Sequence, residues 1–128
     1  MTLSQTDVEA IYNDIVTNCI KEFNEGNGAA LSTIYAQKGV LINGKSGDHA
    51  FGLEAIRTML EPYAALGQID CKLNYQKVTV IGTDKFHVIA EYHNTIVATG
   101  QILVAHVEQL FGKDNGTWKC FYETFQEA

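Results

Sequence analysis

Beyond Gln68 the chain is almost wholly strand-like: IDCKLNYQKVTVI, KFHVIAEYHNTIV, QILVAHVEQLF and TWKCFYETF are separated by the turn-rich GTD, ATG and GKDNG. No other feature restricts the fold as much. Runs rich in Val, Ile, Thr, Tyr and Phe, bounded by Gly, Asp and Asn, read as strands, and short turns make consecutive strands antiparallel neighbours. These runs are much longer than the mean strand of about 5–6 residues, and strands of that length bend.

What precedes the meander is helical. From Thr6 to Glu25 the apolar residues Val8, Ile11, Tyr12, Ile15, Val16, Cys19 and Phe23 recur at three and four, with Thr6 and Glu9 as a capping box and EGNG as a stop. NGAALSTIYA predicts a short second helix ending near Tyr35, and GVLIN, Gly39 to Asn43, a strand. GLEAIRTML then carries Leu53, Ile56, Met59 and Leu60 on one face, and Pro62 either kinks this helix or restarts it at EPYAAL. Helices first and a meander afterwards define an α+β domain spanning residues 1–128. The expected shape is a cone, with a long N-terminal helix and two shorter helices packed on a strongly bent, mainly antiparallel sheet.

Charge removes several partner classes. Nine Lys and Arg, scattered singly, stand against fifteen Asp and Glu, a net charge of -6 that repels nucleic acid and anionic membranes alike. No apolar run approaches the roughly 20 residues of a membrane span, and MTLSQTDVEAIYND lacks the basic-then-apolar layout of a signal peptide. Cys19, Cys71 and Cys120 are odd in number and far apart, which fits a reducing, cytoplasmic setting. The Asn115–Thr117 sequon lies in an expected turn and does not change that reading.

Several residues have the chemistry for a site. His106 alternates with Ile102, Val104, Glu108 and Leu110; it is either a hydrogen-bonded core histidine or, on a cavity wall, an acid/base group. Glu91 and His93 share one strand face as either an acid/base pair or a solvated charge pair. His87 and His93 lie roughly 20 Å apart along a strand, too far to share an ion. With no His-x-x-x-His, Cys-x-x-Cys or clustered acids, no metal is expected. GKSGDHAFG lacks the order of a phosphate cradle, and no cofactor is expected. Cys19 and Cys120 have no activating base, and His49 sits in the glycine-rich loop.

The order helix, short helix, strand, Gly-rich loop, helix and four long strands resembles the nuclear transport factor 2-like superfamily, which includes ketosteroid isomerases, scytalone dehydratase, polyketide cyclases and the kinase association domain. The resemblance rests on IYAQKGVLINGKSGDHAFGLEAIR and on the closing GTWKCFYETF, and it covers nearly the whole chain. It implies a cavity between helices and sheet, with the Gly-rich loop either crossing its mouth or serving as a plain connection. Carried over position by position, the general base of the ketosteroid isomerases falls on Asn43, their oxyanion-binding Tyr on Cys19 and their protonated Asp on His106. An amide cannot take a proton near neutral pH, so that mechanism is not expected.

The expected cavity is lined by Tyr12, Cys19, Tyr35, Asn43, Phe51, Met59, Tyr63, His106 and Tyr122, with His106, Tyr122 and Tyr12 converging. Such a domain binds a small apolar or aromatic molecule. The alternatives are a cofactor-free isomerase, cyclase or dehydratase using His106, and a non-catalytic protein-interaction module. A homodimer is expected through an outer sheet face carrying Leu103, Val107, Phe111, Phe121 and Phe125.

Overall fold

The computed structural model describes residues 3–25 and 28–127. Helix α1 runs Gln5–Asn24 and starts two residues earlier than Thr6 and Glu9 suggest. Ser4 Oγ accepts from the Asp7 N–H at 3.1 Å, and Asp7 Oδ2 accepts from the Ser4 N–H at 3.1 Å, so the capping box is Ser4–Asp7. Of the EGNG stop, Gly26 and Asn27 lie outside the described residues. The next segment, Gly28–Ile34, is a 3₁₀ helix rather than an α-helix, and it passes directly into β1, Tyr35–Asn43. β1 thus begins ahead of GVLIN, because Gly39 lets the chain approach its neighbours. A Cβ there would sit 3.1 Å from the Ala36 carbonyl oxygen and 3.2 Å from that of Cys120.

The Gly-rich segment does not cross a cavity mouth. It closes a hairpin between β1 and a short strand, β2 (His49–Phe51). Asn43 Oδ1 accepts from the backbone N–H of Lys45 and Ser46 at 3.0 and 3.1 Å, so this side chain is spent on the turn. Helix α2, Leu53–Ala64, runs through Pro62 without restarting and ends two residues later.

The meander forms as the turns dictate: β3 (Ile69–Ile81), β4 (Lys85–Ile96), β5 (Ile102–Asp114) and β6 (Thr117–Glu127). Asn115 and Gly116, with φ of 51° and 78°, make the β5–β6 turn, in which two positive φ values match the twist of the flanking strands. The curved sheet has the order β2-β1-β6-β5-β4-β3, antiparallel except where β1 lies parallel to β6.

The helices pack on one sheet face. Phe86 stacks on Phe111 with ring centroids 4.9 Å apart, Tyr12 from α1 meets Phe111 edge-on at 5.7 Å, and Trp118 leans on Phe86 at 5.2 Å. All three of Tyr12, Phe86 and Phe111 are fully buried. A second, smaller cluster joins Phe23, Ile69 and Ile96.

The outer face differs from the expected one. Phe111 and Phe125 are buried under the helices, and Leu103 and Val107 pack into the same interior; Phe121 lies against Gly112. The physical reason is the Phe86–Phe111 stack, which fixes the odd-numbered residues of β5 inward. The even set, Ile102, Val104, His106 and Glu108, faces out.

Candidate functional site

One irregularity decides which side chains of β6 meet under the helices. Along β6, Trp118 and Cys120 face inward, and strict alternation would continue with Tyr122. The β5–β6 register instead shifts between Leu110 and Phe111, pairing Phe111 with Cys120 but Leu110 with Tyr122. Phe121 is the extra residue, and past this bulge the inward positions become Glu123 and Phe125. Tyr122 is turned outward and 39% exposed, while a carboxylate takes the interior position. His106 is likewise outside. It pairs with Glu91 across β4–β5, and its Nδ1 lies 3.6 Å from Glu91 Oε1. His106 and Tyr122 therefore do not converge with Tyr12.

A cavity of about 180 Å³ lies between the two apolar clusters. From α1 come Tyr12, Ile15, Cys19 and Phe23; the 3₁₀ helix and β1 add Leu31, Ile34 and Tyr35, and α2 with the following turn adds Leu60, Tyr63 and Leu66. The sheet supplies Cys71, Tyr92, Asn94, Leu103, Gln109 and Glu123 among others. Of the residues expected from the sequence, Tyr12, Cys19, Tyr35 and Tyr63 lie on this wall. Asn43 sits in the β1–β2 turn, and Phe51 is 66% exposed on β2, its ring 5.1 Å from that of His49. Met59 packs against the main cluster away from the cavity wall.

Several polar groups of this wall form one chain. Gln109 Nε2 donates to Glu123 Oε1 at 2.6 Å, and Gln109 Oε1 accepts from the Tyr12 hydroxyl at 3.0 Å. Since the Tyr12 proton points to Gln109, the 2.5 Å bond between the Tyr12 and Tyr92 hydroxyls has Tyr92 as its donor. The Tyr35 hydroxyl also donates to Glu123. Every donor in the chain thus points toward one carboxyl group.

Burial nevertheless dominates the electrostatics. It pushes the Glu123 carboxyl from 4.5 up to about 7 against the opposing hydrogen bonds of Gln109 and Tyr35. Burial also pushes up the Tyr12, Tyr35 and Tyr92 phenols, and takes the Cys19 and Cys71 thiols to about 11 and about 12. At neutral pH these phenols and thiols are proton-bearing, and Glu123 is the group on the wall that can either give or take a proton.

On the outer face Glu91 accepts from Asn74 Nδ2 at 2.5 Å and lies 3.0 Å from His93 Nε2. The His93 and Asn74 bonds hold the Glu91 carboxyl below its ordinary value. Among the described residues no group of three His, Cys, Asp or Glu is arranged to hold a metal ion, and no helix is long and apolar enough to cross a membrane.

No model of a known protein family matches the chain, and no curated protein matches it in sequence. Solved structures do. An NTF2-like protein of unknown function from Pseudomonas putida superposes with a TM-score of 0.79 at 13% identity, covering 97% of this chain and 88% of that one. This chain has the NTF2-like fold. A putative calcium/calmodulin-dependent protein kinase II association domain from Xanthomonas campestris gives a TM-score of 0.76 at 19% identity, covering 98% of this chain and 89% of that one. A hexachlorocyclohexane dehydrochlorinase, LinA type 2, gives 0.71 at 13% identity, with 93% and 84% coverage. At these identities the likeness is one of fold; one neighbour is a dehydrochlorinase and another a putative association domain, so the fold does not fix the function.

Sequence reasoning missed Glu123 and Gln109. For Gln109 a signal was present: its row on β5 contains one amide, whereas the competing row contains both His106 and Glu108. For Glu123 strict alternation pointed the wrong way, because the Phe121 bulge has no signature in TWKCFYETF.

Proposed function

We propose that this NTF2-like domain binds a small, mostly apolar molecule in the cone between helices and sheet, and that Glu123 is the polar anchor and proton carrier for that molecule. The observation that carries the reading is a buried carboxyl, with its pKa raised to about 7, at the wall of a mostly apolar cavity. A group poised between its two forms at neutral pH suits general acid or base work. Cofactor-free turnover of the isomerase, cyclase or dehydratase kind then runs through Glu123, with Gln109 and Tyr35 orienting its carboxyl, and not through His106.

The test uses N-phenyl-1-naphthylamine, an uncharged probe whose emission rises in apolar surroundings. Saturable binding at one site, abolished by Ala105→Phe, which fills the cavity from β5, supports the reading. Absence of binding, or equal binding by the filled variant, ends it.

A second reading concerns the outer sheet face. Ile89 on β4, Ile102 on β5 and Tyr122 on β6 are 45%, 61% and 39% exposed on that side. Exposed apolar residues on one sheet face suit a homodimer. Sedimentation at micromolar concentration tests it: a dimer converted to monomer by Ile89→Asp supports it, and a wild-type monomer refutes it.

A further inference from the structure

One wall residue has no place in the hydrogen-bond chain. Asn94, on β4, lines the cavity, and its side-chain oxygen is buried without a protein partner among the described residues. Most other polar groups at this wall, from Tyr92 to Glu123, are satisfied by one another. The surroundings of Asn94 explain its isolation. Its register partners are Cys71 on β3 and Leu103 on β5, and the next inward residue on its own strand is Ile96. A buried acceptor left unmade is unfavourable, and a leucine of nearly the same shape would remove that cost. An asparagine among these apolar neighbours needs a donor from elsewhere, and a ligand in the cavity can bring one.

The far end of the polar chain is separated from Asn94. Tyr92 lies two residues from Asn94 on β4, about 6.6 Å along the strand, and Gln109 lies six residues beyond Leu103 on β5, about 20 Å if extended. An occupant reaching from Asn94 past Tyr92 to the Gln109–Glu123 end of the chain is elongated.

Resting on the reading of the cavity as a ligand site, we propose that Asn94 is a ligand-anchoring residue. Its side-chain oxygen takes a hydroxyl or N–H donor at one end of an elongated apolar ligand, and the Gln109–Glu123 end of the polar chain takes a polar group at the other. The ligand class is thus an apolar scaffold of two or more rings, or the equivalent acyl length, with a donor at one end.

Displacement of N-phenyl-1-naphthylamine by 4-phenylphenol and by 4-methylbiphenyl, which differ in one donor, tests this on wild type, Asn94→Leu and Asn94→Ala. The quantity read is each protein's affinity ratio for the two compounds, so their different hydrophobicity cancels between proteins. The expected result is a ratio roughly tenfold more favourable to the phenol in wild type than in either variant, the equivalent of one hydrogen bond to a buried acceptor. Asn94→Leu is also expected to melt higher than wild type without ligand. Asn94→Ala keeps the test decisive if the leucine does not fit. Ratios equal in all three proteins overturn the Asn94 proposal while leaving the cavity reading intact. If neither compound nor the probe binds wild type, both fall.

Discussion

Replacing Glu123 with glutamine changes a charge state while preserving shape, and its effect can be worked from the site. In the folded protein the carboxyl titrates at about 7, against 4.5 when ordinarily solvated. The native state therefore holds a proton that the unfolded chain releases between those two values. The stabilisation this provides is fully present below pH 4.5 and is lost as pH rises through about 7. Between pH 5 and 8 the loss amounts to roughly 2.5 kcal/mol at about 1.36 kcal/mol per pKa unit. Unfolding entropies of about 2.1 cal/mol/K per residue make that about 9 °C in Tm for a chain of this length. Glu123→Gln keeps an acceptor for Gln109 and Tyr35 but cannot ionise. Its Tm advantage over wild type is expected to grow by about 9 °C between pH 5 and pH 8. The assay is differential scanning calorimetry of both proteins across that range. The difference between the curves is the decisive quantity, since the histidines and surface carboxylates contribute equally to both. Parallel curves would show that Glu123 is ordinarily ionised and would refute the account of the site.

Tyr12→Phe removes the donor to Gln109 and the acceptor for Tyr92, leaving polar atoms unpaired; a loss of about 1–3 kcal/mol in chemical denaturation is expected. Gly39→Ala forces a Cβ against two carbonyl oxygens that belong to backbone and cannot swing aside, and a loss of about 1–3 kcal/mol is expected by the same measurement. His106→Ala, on the outer face, is expected to change stability by less than about 0.5 kcal/mol and to leave N-phenyl-1-naphthylamine affinity unaltered. A large effect of His106→Ala on that affinity would contradict its placement.

The sequence disclosed the architecture far better than the site, for a physical reason. Strand and helix periodicity is repeated over many residues, so β3 and β4 and the stripe of α1 are over-determined by Val, Ile and aromatic spacing. Facing is a binary choice made once per strand, and a single residue can reverse it. On β5 both rows are apolar enough to be inside, and the choice falls to the long-range stack of Phe111 on Phe86. On β6 the row is interrupted by the Phe121 bulge, whose cause lies in pairing with β5 and not in local composition. Tyr12, Cys19, Tyr35 and Tyr63 were legible because helix stripes and strand starts carry no such ambiguity. The β2 hairpin was missed because three residues are too few to show alternation, and Asn43 because its turn role depends on the N–H groups of Lys45 and Ser46.

The parallel pairing of β1 with β6 has a consequence for how the molecule comes into being. Tyr35 finds its strand partner in Cys120, and Leu41 in Glu123 itself. At about 5–20 residues per second, synthesis leaves several seconds in which β1 and its hairpin exist with no strand to join, and β5 remains an open edge. Local contacts within the meander can form early, but the closing strand delivers both the missing ladder and the buried acid. A nascent chain lacking β6 has helices, a partial sheet and an unsealed apolar interior, so it exposes greasy surface and unpaired amides together. This makes the final strand the point at which a sticky intermediate becomes a native protein, and a handover from chaperone to folded state belongs after Glu123 has left the ribosome.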